Sequence, residues 1–184
     1  MVAVHEDLGE ADIGKLISMA RFYLAESFKH LERSDPYDAA EKVWASVKHA
    51  TRALTLRFLG EDTPSPGETW RSFVTRAFMR AGLSSDDASG WAAYFVDVRG
   101  RLHGEVFYGL MYEEGEHRPL MEKAREYLEL VEKLIFQLHV PDSCGHEGPS
   151  SPFSPAMNGI QLHTTLAPSV PVIAPHSVNM HWSF

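Results

Sequence analysis

A chain of 184 residues has room for one core of ordinary size, which excludes a TIM barrel or a full dinucleotide-binding fold. Lys plus Arg number 17 against 25 Asp plus Glu, a net charge of -8 that argues against non-specific affinity for long duplex nucleic acid and leaves room for a local basic patch that handles a short strand or a nucleotide. The single cysteine, Cys144, cannot form an intrachain disulfide and fits a reducing compartment better than secretion.

The first 25 residues hold Glu6, Asp7, Glu10 and Asp12 ahead of any apolar run, and nowhere do 18 apolar residues follow one another. Neither secretion nor a membrane span is predicted, and the expected location is cytoplasmic. From about Asp12 to Arg33, the residues Ile13, Leu16, Ile17, Ala20, Leu24, Phe28 and Leu31 recur at helical spacing and make one apolar stripe. Ser34-Asp35-Pro36 ends that helix and starts the next: Asp35 can cap, Pro36 stands where a missing amide costs nothing, and Asp38 suits the positive first turn. The second helix buries Ala40, Val43, Trp44, Val47, Ala50, Leu54 and Phe58, and Gly60 is its natural left-handed terminator. Two long helices joined by so tight a turn form an antiparallel hairpin.

Ser65-Pro66-Gly67-Glu68 reads as a capping box with proline at the first helical position. It is expected to open a short third helix that faces Trp70, Phe73, Val74, Ala77 and Phe78 inward and stops at Gly82. Ser84, with Asp87 three residues on, starts a fourth helix carrying Trp91, Phe95, Val98, Leu102 and Val106 and fraying near Gly109. An acidic turn then leads to Pro119 and a last helix with Leu120, Ala124, Leu128, Val131, Ile135 and Leu138 at the right period. No alternation of strand type interrupts the body. The expected fold is all-α: an antiparallel up-and-down bundle of four long helices and one short one over residues 1–140.

Beyond Pro141 the composition changes. Of 42 charged residues only Asp142 and Glu147 lie there, and Pro149, Pro152, Pro155, Pro168, Pro171 and Pro175 follow. Helix is excluded for most of this stretch. Its large apolar side chains, among them Ile160, Leu162, Val172, Ile173 and Trp182, lead us to expect an irregular, extended tail over 141–184 packed on its own bundle or on a partner's.

The most unusual local sequence is VRGRLHGEVFYG, from Val98 to Gly109. Arg99 and His103 are four apart and share a helix face, while Arg101 lies elsewhere on the circumference and Glu105 and Tyr108 could complete a polar rim. Such a pair has two readings. It can line the solvent edge of a helix, or the guanidinium can hold a phosphate while the imidazole moves a proton near neutral pH. Gly100 and Gly104 each cost up to about 1 kcal/mol in a helix, and close packing of another helix is the expected reason, with space for a ligand as the other. Lys48, His49 and Arg52 on the second helix and Arg71, Arg76 and Arg80 on the third read as solubilising rather than as a nucleic-acid stripe. His139, Cys144 and His146 match no tetrahedral signature, and no phosphate loop, HExxH or nucleophile elbow is present. No metal and no cofactor is expected.

DAAEKVWASVKHATRALTLRFLG on the second helix, with its Ala-Ala-Glu-Lys-x-Trp opening, and the Leu102-His103 to Phe107-Tyr108 segment together resemble the archaeal PaREP family. That family belongs to the HEPN superfamily of higher-eukaryote and prokaryote nucleotide-binding domains, and the resemblance spans about residues 10–138. It implies a helical bundle that dimerises and serves as a nucleotide-binding or protein-interaction module. The alternative it implies is a metal-independent endoribonuclease of toxin-antitoxin type, paired with a nucleotidyltransferase-like partner and acting on a short RNA. Active members use arginine, four to six residues and then histidine. Carried over, His103 matches the histidine, with Arg99 and Arg101 as the arginines for phosphate; between Arg99 and His103 only Gly100, Arg101 and Leu102 intervene, one short of that spacing. Arg99, His103, Glu105 and Tyr108 are then the candidate ligand contacts.

Overall fold

The computed structural model describes residues 10–137. The boundary at Pro141, the tail over 141–184, Leu138 and the group His139, Cys144 and His146 lie outside the described residues. Within them the chain is all-α: α1 (Glu10–Glu32), α2 (Pro36–Leu59), α3 (Trp70–Arg80), α4 (Ser85–Asp97), a π-helix (Val98–Tyr108) and α5 (Glu114–Gln137). None of these helices is long and apolar enough to cross a membrane.

The corner between α1 and α2 is built from paired backbone hydrogen bonds. The Ser34 amide donates to the Leu31 carbonyl at 3.0 Å and the Asp35 amide to the His30 carbonyl at 2.9 Å, the double closure that ends many helices on a left-handed residue. Ser34 is that residue, at φ 60°. Asp35 then caps α2 by accepting from the Asp38 amide at 3.2 Å, with Pro36 in the first turn. Gly60 ends α2 in the left-handed region at φ 69°. α3 closes with the same double pattern, Gly82 to Met79 and Leu83 to Phe78, and Gly82 takes φ 100°. α4 is capped by Ser84, which accepts from the Asp87 amide at 3.2 Å.

Three helix boundaries differ from the sequence reading. Ser65 does not open α3: the Ser65 amide donates to the Glu68 carboxylate at 3.3 Å, and the Glu68 amide returns to the Ser65 carbonyl at 2.9 Å. These bonds close an isolated turn, and the cap falls to Thr69, which accepts from the Ser72 amide at 3.1 Å. α5 begins at Glu114 with Pro119 inside it. Pro119 has no N–H, so the Gly115 carbonyl one turn earlier receives no backbone bond from it. The expected fourth helix is two: the α-form stops at Asp97 and the chain runs on as 11 residues of π-helix. Four-residue apolar steps at Val98, Leu102 and Val106, all fully buried, overshoot a turn of 3.6 residues and suit the wider π turn.

α2 is the central helix, with α1, α3, the π-helix and α5 all packed on it. Ala39, Ala40, Val43, Val47, Ala50, Ala53 and Leu54 are buried there completely, small residues letting neighbouring backbones approach. At the core Thr51 donates to the Val47 carbonyl at 2.7 Å, so the Tyr127 phenol must be the donor in its 2.6 Å bond to Thr51 Oγ1. The Tyr94 phenol donates to the Leu120 carbonyl at 2.9 Å. Burial pushes both phenols well above their ordinary range and keeps them neutral.

Candidate functional site

The π-helix lies against α2 and presents a polar edge along that seam. His103 Nδ1 is 2.6 Å from Glu41 Oε2, and its ring stacks on Trp44 with centroids 5.3 Å apart and planes inclined by 29°. On its other side Tyr108 meets the ring edge-on at 4.9 Å and Phe107 lies nearly parallel at 6.2 Å. One turn earlier the Arg99 guanidinium covers the Trp70 ring at 5.6 Å. Arg99 and His103 therefore lie about one turn apart along the π-helix, His103 against α2 and Arg99 against Trp70 at the start of α3.

Two further cations come from α2. Lys48 Nζ sits over Trp44 at 5.9 Å, and Arg52 pairs with Asp62 at 3.2 Å. Burial holds the Lys48 ammonium below its usual range; Glu41 opposes this, and the positive charges of Arg52 and Arg99 add to it. Lys48 thus stands where three cations crowd a surface of an acidic protein. A neighbouring shallow groove is lined by Thr69, Trp70, Arg71, Val96 and Arg99.

The other residues singled out from the sequence divide between the two sides of the π-helix. Arg101 turns to α5 and pairs with Glu116 at 2.7 Å, away from Arg99 and His103. Glu105 lies nearest His117, its Oε2 3.8 Å from Nε2. Tyr108 is 69% exposed beside His103. Gly100 and Gly104 are exposed, and a Cβ at either would meet no other helix. Close approach of another element of the described chain is therefore not their reason. Gly109 differs, since a Cβ there would stand 2.5 Å from the Glu105 carbonyl oxygen.

Sequence reasoning missed Glu41, Lys48 and Arg52 as members of the site. Glu41 and Trp44 stand in the Ala-Ala-Glu-Lys-x-Trp string and His103 in the Leu-His string, so the two segments that resembled one family are in contact. That coincidence was the available signal. On α2 the spacing of Glu41, Trp44, Lys48 and Arg52 also marks one face.

A second cluster stands at the α1–α2 corner, where donor atoms of His30, Asp35 and Asp38 lie within 4.8 Å of one another. The corner itself accounts for them: Asp35 caps α2 through one oxygen and meets His30 Nδ1 at 3.2 Å through the other. No family model, curated protein sequence or solved structure matches the chain.

Proposed function

We propose that the seam between α2 and the π-helix binds a phosphate-bearing ligand, a nucleotide or the backbone of a short RNA. The observation that carries this reading is the gathering of Lys48, Arg52 and Arg99 beside His103 in a chain of net charge -8. Arg52 meets Asp62 and Lys48 feels Glu41, yet the three cations still repel one another, and an added anion would offset that repulsion. Arg99 offers a planar fork for two phosphate oxygens and Lys48 a compact charge. The exposed ring of Tyr108 provides a face for a base at the far end of the same seam.

The reading accords with a HEPN-like, PaREP-related module, a kinship supported by the contact between the two segments that suggested it. In that setting the protein acts as a homodimer. Metal-independent cleavage of RNA is the second reading, favoured by one observation: an imidazole oriented by a carboxylate stands about one turn from Arg99 along the π-helix.

Titration of the purified protein with ATP, GMP and a fluorescent RNA octamer tests the proposal. Arg99→Ala and Lys48→Ala should each weaken binding by about tenfold or more, the worth of a charge-assisted hydrogen bond. Arg118→Ala serves as control, because Arg118 is engaged with Glu114 and Glu122 on an exposed face of α5. Absence of binding at millimolar ligand, or equal losses in all three variants, would overturn the assignment.

A further inference from the structure

Histidine can carry its neutral-state proton on either ring nitrogen, and the partner of one nitrogen decides what the other can do. At His103 the partner is a carboxylate, which when ionised only accepts. A 2.6 Å separation between Nδ1 and Glu41 Oε2 therefore places a proton on Nδ1. Among the described residues no hydrogen bond is made to Nε2. The ring cannot flip at low cost, since Trp44 stacks on it, Phe107 lies parallel to it and Tyr108 closes its edge.

We infer that Glu41 is a positioning residue: it fixes neutral His103 as the Nδ1–H tautomer and leaves Nε2 as the proton-accepting atom of the seam. A free imidazole favours the opposite tautomer, so the carboxylate works against an intrinsic preference. What it gains is direction. A hydroxyl or a singly protonated phosphate held by Arg99 and Lys48 finds a lone pair at Nε2 rather than a second donor. This last step rests on the phosphate-site reading, whereas the tautomer does not.

His117 has no such carboxylate at Nδ1. The Glu113 amide lies 2.9 Å and the Glu113 carbonyl 3.1 Å from that atom, so one neighbour suits each tautomer, and its Nε2 is buried with no hydrogen-bond partner among the described residues.

Two-bond nitrogen–proton correlation spectra of the full chain at a pH where the imidazoles are neutral read each tautomer directly. Wild-type His103 is expected to show a protonated Nδ1 and a lone-pair Nε2, in at least tenfold preference. Glu41→Gln can accept from Nδ1–H or donate to a bare Nδ1 and should weaken the preference; Glu41→Ala should invert it, while the His117 signals and the helical circular dichroism stay in place. A wild-type His103 protonated on Nε2 overturns the inference, and so does an Ala variant with unchanged signals. If the Ala variant does not fold, the wild-type tautomer and a reduced preference in the Gln variant decide, and an undiminished preference in Gln overturns the inference. Arg99→Ala should leave the tautomer untouched, so loss of ligand binding and loss of the tautomer are separately visible.

Discussion

His49 carries a cost that His103 does not. It stacks on Tyr23 with centroids 5.6 Å apart, and its Nδ1 is buried with no hydrogen-bond partner among the described residues. Burial, helped by the charges of Lys48 and Arg52, pulls its pKa down to about 4. Between the ordinary value near 6.5 and about 4 the unfolded chain binds more protons than the folded one. The stability tied to a neutral His49 is thus complete above that window and is lost as the pH falls through it. At 1.36 kcal/mol per pKa unit the loss is at most about 3 kcal/mol, less for whatever water reaches the ring. His49→Phe retains the stack on Tyr23 and removes the titration. Urea midpoints measured at pH 7 and pH 5 should fall less for this variant than for the wild type, and parallel falls would exclude His49 as the source.

At the scale of helices, the π-helix separates glycines that look alike in sequence. Gly100 faces open space, and a Cβ at Gly104 would make only an ordinary 3.8 Å contact with the Arg99 carbonyl, so Gly100→Ala should leave the fold intact and stabilise it by about 0.5–1 kcal/mol through backbone entropy. Gly109, whose amide donates to the Gly104 carbonyl at 3.0 Å, admits no Cβ without moving the Glu105 carbonyl, and Gly109→Ala should cost about 1–3 kcal/mol. Thermal melts of the two variants check the opposite signs. The hairpin of α1 and α2 was legible because its determinants are local: Asp35, Pro36 and Gly60 act on their own turns. The π-helix was not, since Val98, Leu102 and Val106 step by four, and a window of sequence reads that step as an α-helical face. Thr69 was overlooked as a cap because Ser65 and Glu68 meet the capping-box pattern yet close a turn of their own.

Across the whole molecule the charge balance sets the conditions under which a phosphate ligand would be held. A chain of -8 repels polyanions at a distance, and the three cations of the seam act only within about 10 Å at ordinary ionic strength. Binding of a short single strand should accordingly lose affinity with a log–log salt slope near -2, about 0.7 for each of three neutralised phosphates. A slope near zero would point to contacts other than phosphate. Membership of the site was half legible for a related reason: Arg99 and His103 are joined by helical spacing, but Glu41 and Lys48 reach them only once α2 packs on the π-helix, a relation between distant segments that no local pattern encodes.

The stack of His103 on Trp44 also makes the seam visible to light. A charged imidazole in contact with an indole quenches its emission strongly and a neutral one weakly, and Trp44 is only 5% exposed, so collisional quenchers in solution scarcely compete. The emission difference between the wild type and Trp44→Phe should therefore differ from that measured in a His103→Ala background, which lacks the stacked ring. At constant pH the same difference should shift if a phosphate anion binds Lys48, whose ammonium lies 5.9 Å from the Trp44 ring. Such a signal would follow the occupancy of the unlabelled protein in real time, with no substrate known beforehand.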